Sequence, residues 1–551
     1  MQLKRGKSLD RLPNQEGPLN TQATCKWLRA ESHALLTSEL PLPAWISEYE
    51  RLFRVVQAEQ FSRQVAFYRD TTNRTESSEY ERVVMTEWGR FQVEAVGRMV
   101  RRAQSERLPE THATWIGRIV REAGFATEAS AELQPRIDEL TAEYTQLRAQ
   151  HRTADLMRTL DGPDRDARRD AFEVWTAGIA MTEGEVRDVM NRQVTLRLEQ
   201  VSHTPYDGFE AMQYAALHRD FTPDQCAAFR DELRSRLGPD LAKRKARLGV
   251  DTLRPWDWKA STFAFPNVFS DQEGALDCAA AVLRQIDPDF ALSIADLRDG
   301  GCFDLMARPD KAGGAFCSSP QPNGMPFVFA SSTGAATDLL TVFHEVGHAL
   351  HFLATKNQPL LAYCHANLEI SEIASIAMEF LALEHMTEIV DGETAGALRA
   401  WRRQRTSSVF RNAIRVDEFQ SWLYAQPEPA AADLDGAWGR ISAELDPMTD
   451  WTGFEAARGR GWQVIRHLFL RPFYFIEYAF AHVVAEQILD LYRRDRADGL
   501  RVYKRLLGIG GSLTPRQTLA EVGLDWPMPE LSEARRVSSH AWKNNRNPGK
   551  T

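Results

Sequence analysis

The sequence predicts a mainly α-helical protein with a small β-sheet set directly before its most chemically loaded helix, and three observations lead there. Apolar residues recur at three- and four-residue steps early in the chain, as in Val84, Trp88, Phe91, Ala95 and Met99 and again in Ile137, Leu140, Tyr144 and Leu147; this spacing lines one face of a helix. Between Cys302 and Ser332 the composition changes. Lys311-Ala312-Gly313-Gly314-Ala315-Phe316-Cys317 and Met325-Pro326-Phe327-Val328-Phe329-Ala330 are short β-prone runs separated by a Pro, Asn and Gly turn region. Immediately afterwards, Leu339 to Leu350 is apolar on nearly all sides yet contains His344-Glu345-Val346-Gly347-His348. A buried helix holds such polar groups only if they have partners.

The helical stripes read as core. From Pro43 to about His203 the pattern is helical throughout, broken at Asp161-Gly162-Pro163-Asp164, with a further helix expected from Asp166. Arg165, Arg168 and Arg169 interleave with acids and are expected to be solvated.

The pentad carries the chemistry. On a helix, residues four apart lie on one face about 6 Å apart along the axis, so His344 and His348 can point at one metal ion. H-E-x-x-H is the zinc signature. Thr337 or Asp338 is available as N-cap. Gly347 costs a helix interior about 0.5–1 kcal/mol relative to alanine, so its presence implies that something approaches the helix closely there. The plainer alternative, a buried helix with two hydrogen-bonded histidines, leaves Glu345, Gly347 and the downstream carboxylates unexplained. His351 shares the face but lies about 4.5 Å beyond His348 along the axis, too far to share the ion, and reads as packing or support. The third ligand must come from elsewhere. Asn367 to Glu379 makes a second helix with one acidic edge, and one of Glu369, Glu372 and Glu379 can complete the site.

The whole chain sets limits on the rest. Its 551 residues are enough for a large core and more than one lobe, and 43% hydrophobic with 26% charged residues is ordinary soluble globular composition. A formal net charge of −9 argues against nucleic acid as the main partner. The basic start, Met1 to Lys7, is followed by no apolar stretch, so no secretory signal is expected. No run of about 18 apolar residues exists to span a membrane. The six cysteines show no C-x-x-C spacing, which favours free thiols and a cytoplasmic location.

The pattern HEVGHALH at 344–351 followed by SEIASIAME at 371–379 resembles the thimet oligopeptidase and oligoendopeptidase F group of zinc peptidases, peptidase family M3, and especially its bacterial Pz-peptidase-like branch. In that family the third ligand is the glutamate opening an E-x-x-S-x-x-x-E run. This maps onto Glu372, with Ser375 and Glu379 following, 24 residues after His348. Glu369 is the competitor, with a spacing nearer to the thermolysin type. The segment from Leu196-Arg197 through Tyr206 to Phe209 and on to His218-Arg219, and the segment Arg254 to Trp258, carry the likeness outward.

The resemblance implies a zincin-type (neurolysin-like) fold of two helical lobes around a deep channel, with the small sheet at its wall. One Zn²⁺ would be held by His344, His348 and Glu372, with Glu345 as general base. His467 and Tyr478 would stabilise the oxyanion, with Tyr474 a neighbouring contact, although Arg466 to Ala479 taken alone reads as an aromatic core helix. A peptide would dock as an added strand along Phe327, Val328 and Phe329 beside Gly313 and Gly314; a plain structural hairpin is the alternative. Residues 1–195 would wall the channel, 196–534 would form the catalytic region, and 535–551 would be a polar, basic, disordered tail. Gly508 to Ser512 reads as a flexible loop at the cleft. The implied activity is zinc-dependent endopeptidase action on short unstructured peptides. A catalytically silent peptide-binding protein and a zinc hydrolase of a non-peptide substrate are the alternatives.

Overall fold

The computed structural model describes residues 21–530 apart from 71–80, 107, 126, 150–153, 319–324, 366, 427 and 429–431. The tail expected over 535–551 and the turn region between the two β runs lie outside the described residues. Helices dominate, as the apolar stripes require. Val84, Trp88, Phe91, Ala95 and Met99 are buried with Trp45, Tyr49 and Trp115 in one apolar cluster of the N-terminal helices. Ile137, Leu140 and Tyr144 instead join the large core that surrounds the site and continues to Met528. The packing therefore changes partner between Ile119 and Leu133, well before residue 195.

The sheet has three strands in the order β1-β3-β2: β1 (Phe303–Met306), β2 (Ala315–Ser318) and β3 (Phe327–Ser332). β3 is central, parallel to β1 with Phe303 opposite Val328, and antiparallel to β2 with Cys317 opposite Val328. Alternation sorts its side chains. Val328 faces the main core, whereas Phe327 and Phe329 pack on Phe61 and Val65 of the helix Leu42–Arg69. Lys311, whose side chain is fully covered, ties the layers by donating to Asp304 Oδ1 at 2.7 Å and to the carbonyl of Ala330 at 2.6 Å.

Four helices build the site: α1 (Ala336–Thr355), α2 (Leu368–Glu384), α3 (Gly392–Tyr424) and α4 (Ile476–Arg494). α2 is apolar almost all round, with Ile370, Ile373, Ala377, Met378 and Leu381 buried, and so packs between α1 and α4. Gly347 is where α1 and α2 meet. A Cβ there would sit 2.6 Å from Ser375 Cα and 2.8 Å from the Ala374 carbonyl oxygen, the close approach that the glycine implies.

Several local expectations change. The N-cap of α1 is Ala335, while Asp338 turns back to accept from the backbone N–H of Thr333 at 2.6 Å and of Gly334 at 3.0 Å. Arg168 is not solvated; it is buried and donates to Asp257 and to the Trp256 carbonyl, each at 3.1 Å, while Arg165 grips the same carboxylate. Glycines 510 and 511 form no open loop at a cleft. Both are buried, and a Cβ on either would lie 2.3 Å from a carbonyl oxygen, of Tyr363 and His365 respectively.

Candidate active site

Helical spacing puts His344 and His348 on one face of α1, with ring centroids 4.9 Å apart, opposite Glu372 on α2. Among the described residues these three form the group that can hold a metal ion, their ligand atoms all lying within 4.8 Å of one another. The far nitrogen of each ring is already engaged. His344 Nδ1 lies 2.8 Å from Glu379 Oε1, and His348 Nδ1 lies 3.1 Å from Ser371 Oγ. A carboxylate only accepts, so His344 carries its proton on Nδ1 and turns Nε2 to the centre, 3.6 Å from Glu372 Oε2. Two imidazole Nε2 atoms and one carboxylate, each backed by a hydrogen-bond partner, fit a metal such as zinc with a ligand position left over.

Glu369 goes elsewhere. It is 1% exposed, neither of its oxygens has a hydrogen-bond partner among the described residues, and its neighbours are Arg219 and Glu477. Burial, reinforced by Glu477, raises its carboxyl well above the usual range. Of the three candidate acids on α2, then, Glu372 meets the histidines, Glu379 supports one of them, and Glu369 stands apart.

The charges around the centre follow from burial. Glu345 is buried, which pushes its carboxyl up to about 7 against the pull of His344, and it accepts a hydrogen bond from the backbone N–H of Cys317 on β2. At His344 burial opposes the imidazolium, but Glu379, Glu345 and Glu372 outweigh it and raise the pKa of the metal-free ring to about 9, so a metal ion taking Nε2 would displace the second ring proton. Glu379 is buried as well, yet Arg402 and His344 hold it down at about 2.

That arginine had no signal in the sequence, where it is one of several along α3. Its Nε donates to Glu379 Oε2 at 2.7 Å, and its Nη2 to His482 Nε2 at 3.1 Å. An arginine only donates, so His482 is protonated on Nδ1, which lies 2.5 Å from the carbonyl of Tyr478. Ser371 was likewise missed.

The segment from His467 to Tyr478 closes the other side. The Tyr474 hydroxyl donates to Glu372 Oε1 at 2.7 Å. The Tyr478 hydroxyl lies 3.5 Å from His467 Nε2, and the His467 ring stacks on Tyr474 with centroids 5.6 Å apart. Burial, with Glu372 adding to it, raises both tyrosines above their ordinary range, so they remain donors. Burial lowers His467 to about 4, which keeps it neutral.

The docking strand requires a correction. Phe327, Val328 and Phe329 are buried, and β3 is paired on both edges, so no further strand can add along it. Among the described residues β2 pairs only with β3 and leaves its other edge open, next to Glu345 through Cys317. Gly313 and Gly314, both exposed, lead into that strand.

Fold and site together define a helical protein with a His-Glu-x-x-His helix, a glutamate helix and facing tyrosines. Residues 295–536 match Peptidase family M3. An oligoendopeptidase F homolog of Mycoplasma pneumoniae is 21% identical over 422 residues, covering 71% of this chain and 67% of the relative. Oligopeptidase PepF of Bacillus subtilis is 20% identical over 387 residues, covering 68% of this chain and 56% of its own length. The chain thus spans between about half and two thirds of those relatives. A solved structure of Pz peptidase A with an inhibitor superposes with a TM-score of 0.85 at 20% identity, covering 97% of this chain and 99% of that one. No described helix is long and apolar enough to cross a membrane.

Proposed function

We propose that the protein is a zinc-dependent endopeptidase of short, unstructured peptides, with His344, His348 and Glu372 as the ligands. The observation that carries this is the convergence of those ligand atoms within 4.8 Å of one another, against a buried glutamate and two tyrosine hydroxyls, inside the segment that matches Peptidase family M3. Zinc bound there would supply Lewis-acid polarisation of the scissile carbonyl and a more acidic water. Everything else falls to the chain. Glu345, buried one residue from the ligand His344, accepts the proton of the attacking water and then returns it to the leaving amine. Tyr478, whose hydroxyl lies beside Tyr474 and 3.5 Å from His467 Nε2, donates to the carbonyl oxygen as it gains charge, and neutral His467 orients it. Tyr474 is committed to Glu372 and fixes the ligand's orientation.

The peptide adds as a strand on the open edge of β2, entering past Gly313 and Gly314. Backbone pairing there binds the substrate without reading its side chains. The names of the relatives, oligoendopeptidase F and oligopeptidase, agree with peptides of limited length. Glu345→Gln tests the reading. The variant should keep zinc and fold while losing cleavage by several orders of magnitude, because an amide cannot accept the water proton. Near-normal turnover in the zinc-loaded variant would exclude Glu345 as base.

A further inference from the structure

The path of the chain between His467 and Tyr478 is held from outside the site. Phe473 has φ of 61°, a left-handed conformation that a bulky residue adopts only when its surroundings impose it. Here it turns the chain immediately before Tyr474, and so it sets where both tyrosine hydroxyls point.

Its two backbone polar groups are both taken by buried side chains. The N–H of Phe473 donates to Gln420 Oε1 of α3 at 2.7 Å, and Gln420 is 2% exposed. The carbonyl of Phe473 accepts from Arg219 Nη2. Arg219 is itself fixed by Glu477 Oε1, at 2.9 Å from Nε and 2.6 Å from Nη2, and lies over the ring of Tyr214 at 4.2 Å. The Phe473 ring sits among Phe209, Tyr214 and Tyr424, which removes the freedom to flip out of the strained state.

A second arginine holds the other end of the segment. Arg197 Nη1 donates to the carbonyl of Leu468 at 3.1 Å and to the Tyr424 hydroxyl at 2.9 Å, and Nη2 donates to the carbonyl of Phe469 at 2.6 Å. These carbonyls belong to the short helix Arg466–Leu470 that carries His467. Arg197 and Arg219 both come from the outer stretch between Leu196 and Arg219 that the sequence singles out without a role. Neither contacts the metal ligands.

We propose that Arg197, Arg219 and Gln420 are positioning residues that hold His467 to Tyr478 in the strained path which aims Tyr474 and Tyr478 at the metal centre. The proposal rests on the peptidase reading. It assigns these residues first to the geometry of the transition state, since the clamp acts on the segment that bears Tyr478; any effect on the metal passes through Tyr474 to Glu372 and is the smaller one.

The test uses the full zinc-loaded chain. Gln420→Met keeps volume and removes the acceptor. Gln420→Glu restores an acceptor, and Arg197→Met removes the clamp at the other end without stranding a carboxylate. Gln420→Met and Arg197→Met should each lower kcat by about 10- to 100-fold, the cost of a misplacement on the order of 1 Å. With kcat read at saturating zinc, KM should stay within about threefold, and the zinc dissociation constant measured by chelator competition should rise by no more than the roughly 10-fold that a loosened contact between Tyr474 and Glu372 accounts for. Affinity for a phosphinic peptide, which mimics the tetrahedral state, should fall in parallel with kcat, and Gln420→Glu should recover most of both. Unchanged kcat in folded, zinc-loaded Gln420→Met and Arg197→Met would overturn the clamp. So would a loss of kcat that merely follows a loss of zinc affinity. If the wild-type chain binds zinc but leaves peptides intact, the peptidase reading falls, and the clamp falls with it; a cleaving wild type beside indifferent variants defeats the clamp alone.

Discussion

At the scale of single residues, the choice between two glutamates three positions apart on α2 has an observable consequence. Glu372 meets the histidines, and Glu369 is turned toward Arg219 and Glu477. Glu372→Ala should therefore lose bound zinc, while Glu369→Ala should keep it; metal analysis of the two purified variants checks this, and the opposite pattern would move the third ligand. Arg402 gives a second prediction. Its guanidinium holds Glu379, which holds His344 Nδ1, so Arg402→Met frees a buried carboxylate beside the ligand. Losing such a supporting contact weakens a metal site by about 10–100-fold. Chelator competition on the folded variant should show that loss, and wild-type zinc affinity would remove Arg402 from the support of the site.

At the scale of elements, α1 and α2 are spaced by Gly347. Alanine would gain about 0.5–1 kcal/mol of helix propensity. It would also force a methyl to within 2.6 Å of Ser375 Cα, and backbone cannot yield there as a side chain would. Overpacking of this kind costs about 1–3 kcal/mol. Gly347→Ala should thus lower the Tm and the zinc affinity together, and a stabilised variant would show that the helices can separate freely. α1 also makes a pH prediction. Burial and the neighbouring His365 lower His351 from 6.5 to about 4, and burial beside Arg54 lowers His365 likewise. The folded state then binds fewer protons than the unfolded chain between these values. The contribution is fully present above pH 6.5 and is lost as pH falls toward 4, at up to about 1.4 kcal/mol per pH unit for each group. Denaturant melts from pH 7 to 4.5 should show a shallower loss for His351→Leu than for the wild type.

The elements also show what a sequence can and cannot give. α1 and α2 were readable because periodicity, the pentad and Gly347 all act within one or two turns. The two β runs were readable, but their order was not. β1 spans Phe303–Met306, too short to declare itself, and its pairing with β3 makes the apolar run Phe327-Val328-Phe329 the centre of the sheet. An apolar run signals burial, and here burial is what disqualifies it from docking a peptide. Arg168, Arg197, Arg219 and Arg402 were unreadable for the converse reason. A guanidinium is assumed solvated until the fold brings acceptors to it, and each of these four has an acceptor between 23 and 272 positions away.

At the scale of the molecule, the N-terminal helices and the site are joined in two places. The helix Leu42–Arg69 covers the face of the sheet that bears Phe327 and Phe329. The connection between α1 and α2 inserts Leu360 and Tyr363 into the N-terminal apolar cluster, where the Tyr363 hydroxyl donates to the Thr111 carbonyl at 2.6 Å. A zinc helix, a glutamate helix and a docking strand need far fewer than 551 residues. The rest is explained if the N-terminal helices wall the approach to β2, so that peptides of roughly 5–20 residues reach its edge as an added strand while chains whose strands are already paired do not. The most direct measurement is mass spectrometry of the products from a length series of one repeating peptide, offered alongside casein to the zinc-loaded protein and to the same protein stripped by chelator. Internal cuts in the short peptides, absent without zinc and slow or absent in casein, are the predicted result; short peptides left intact by the zinc-loaded protein, or trimmed only at their ends, would contradict it.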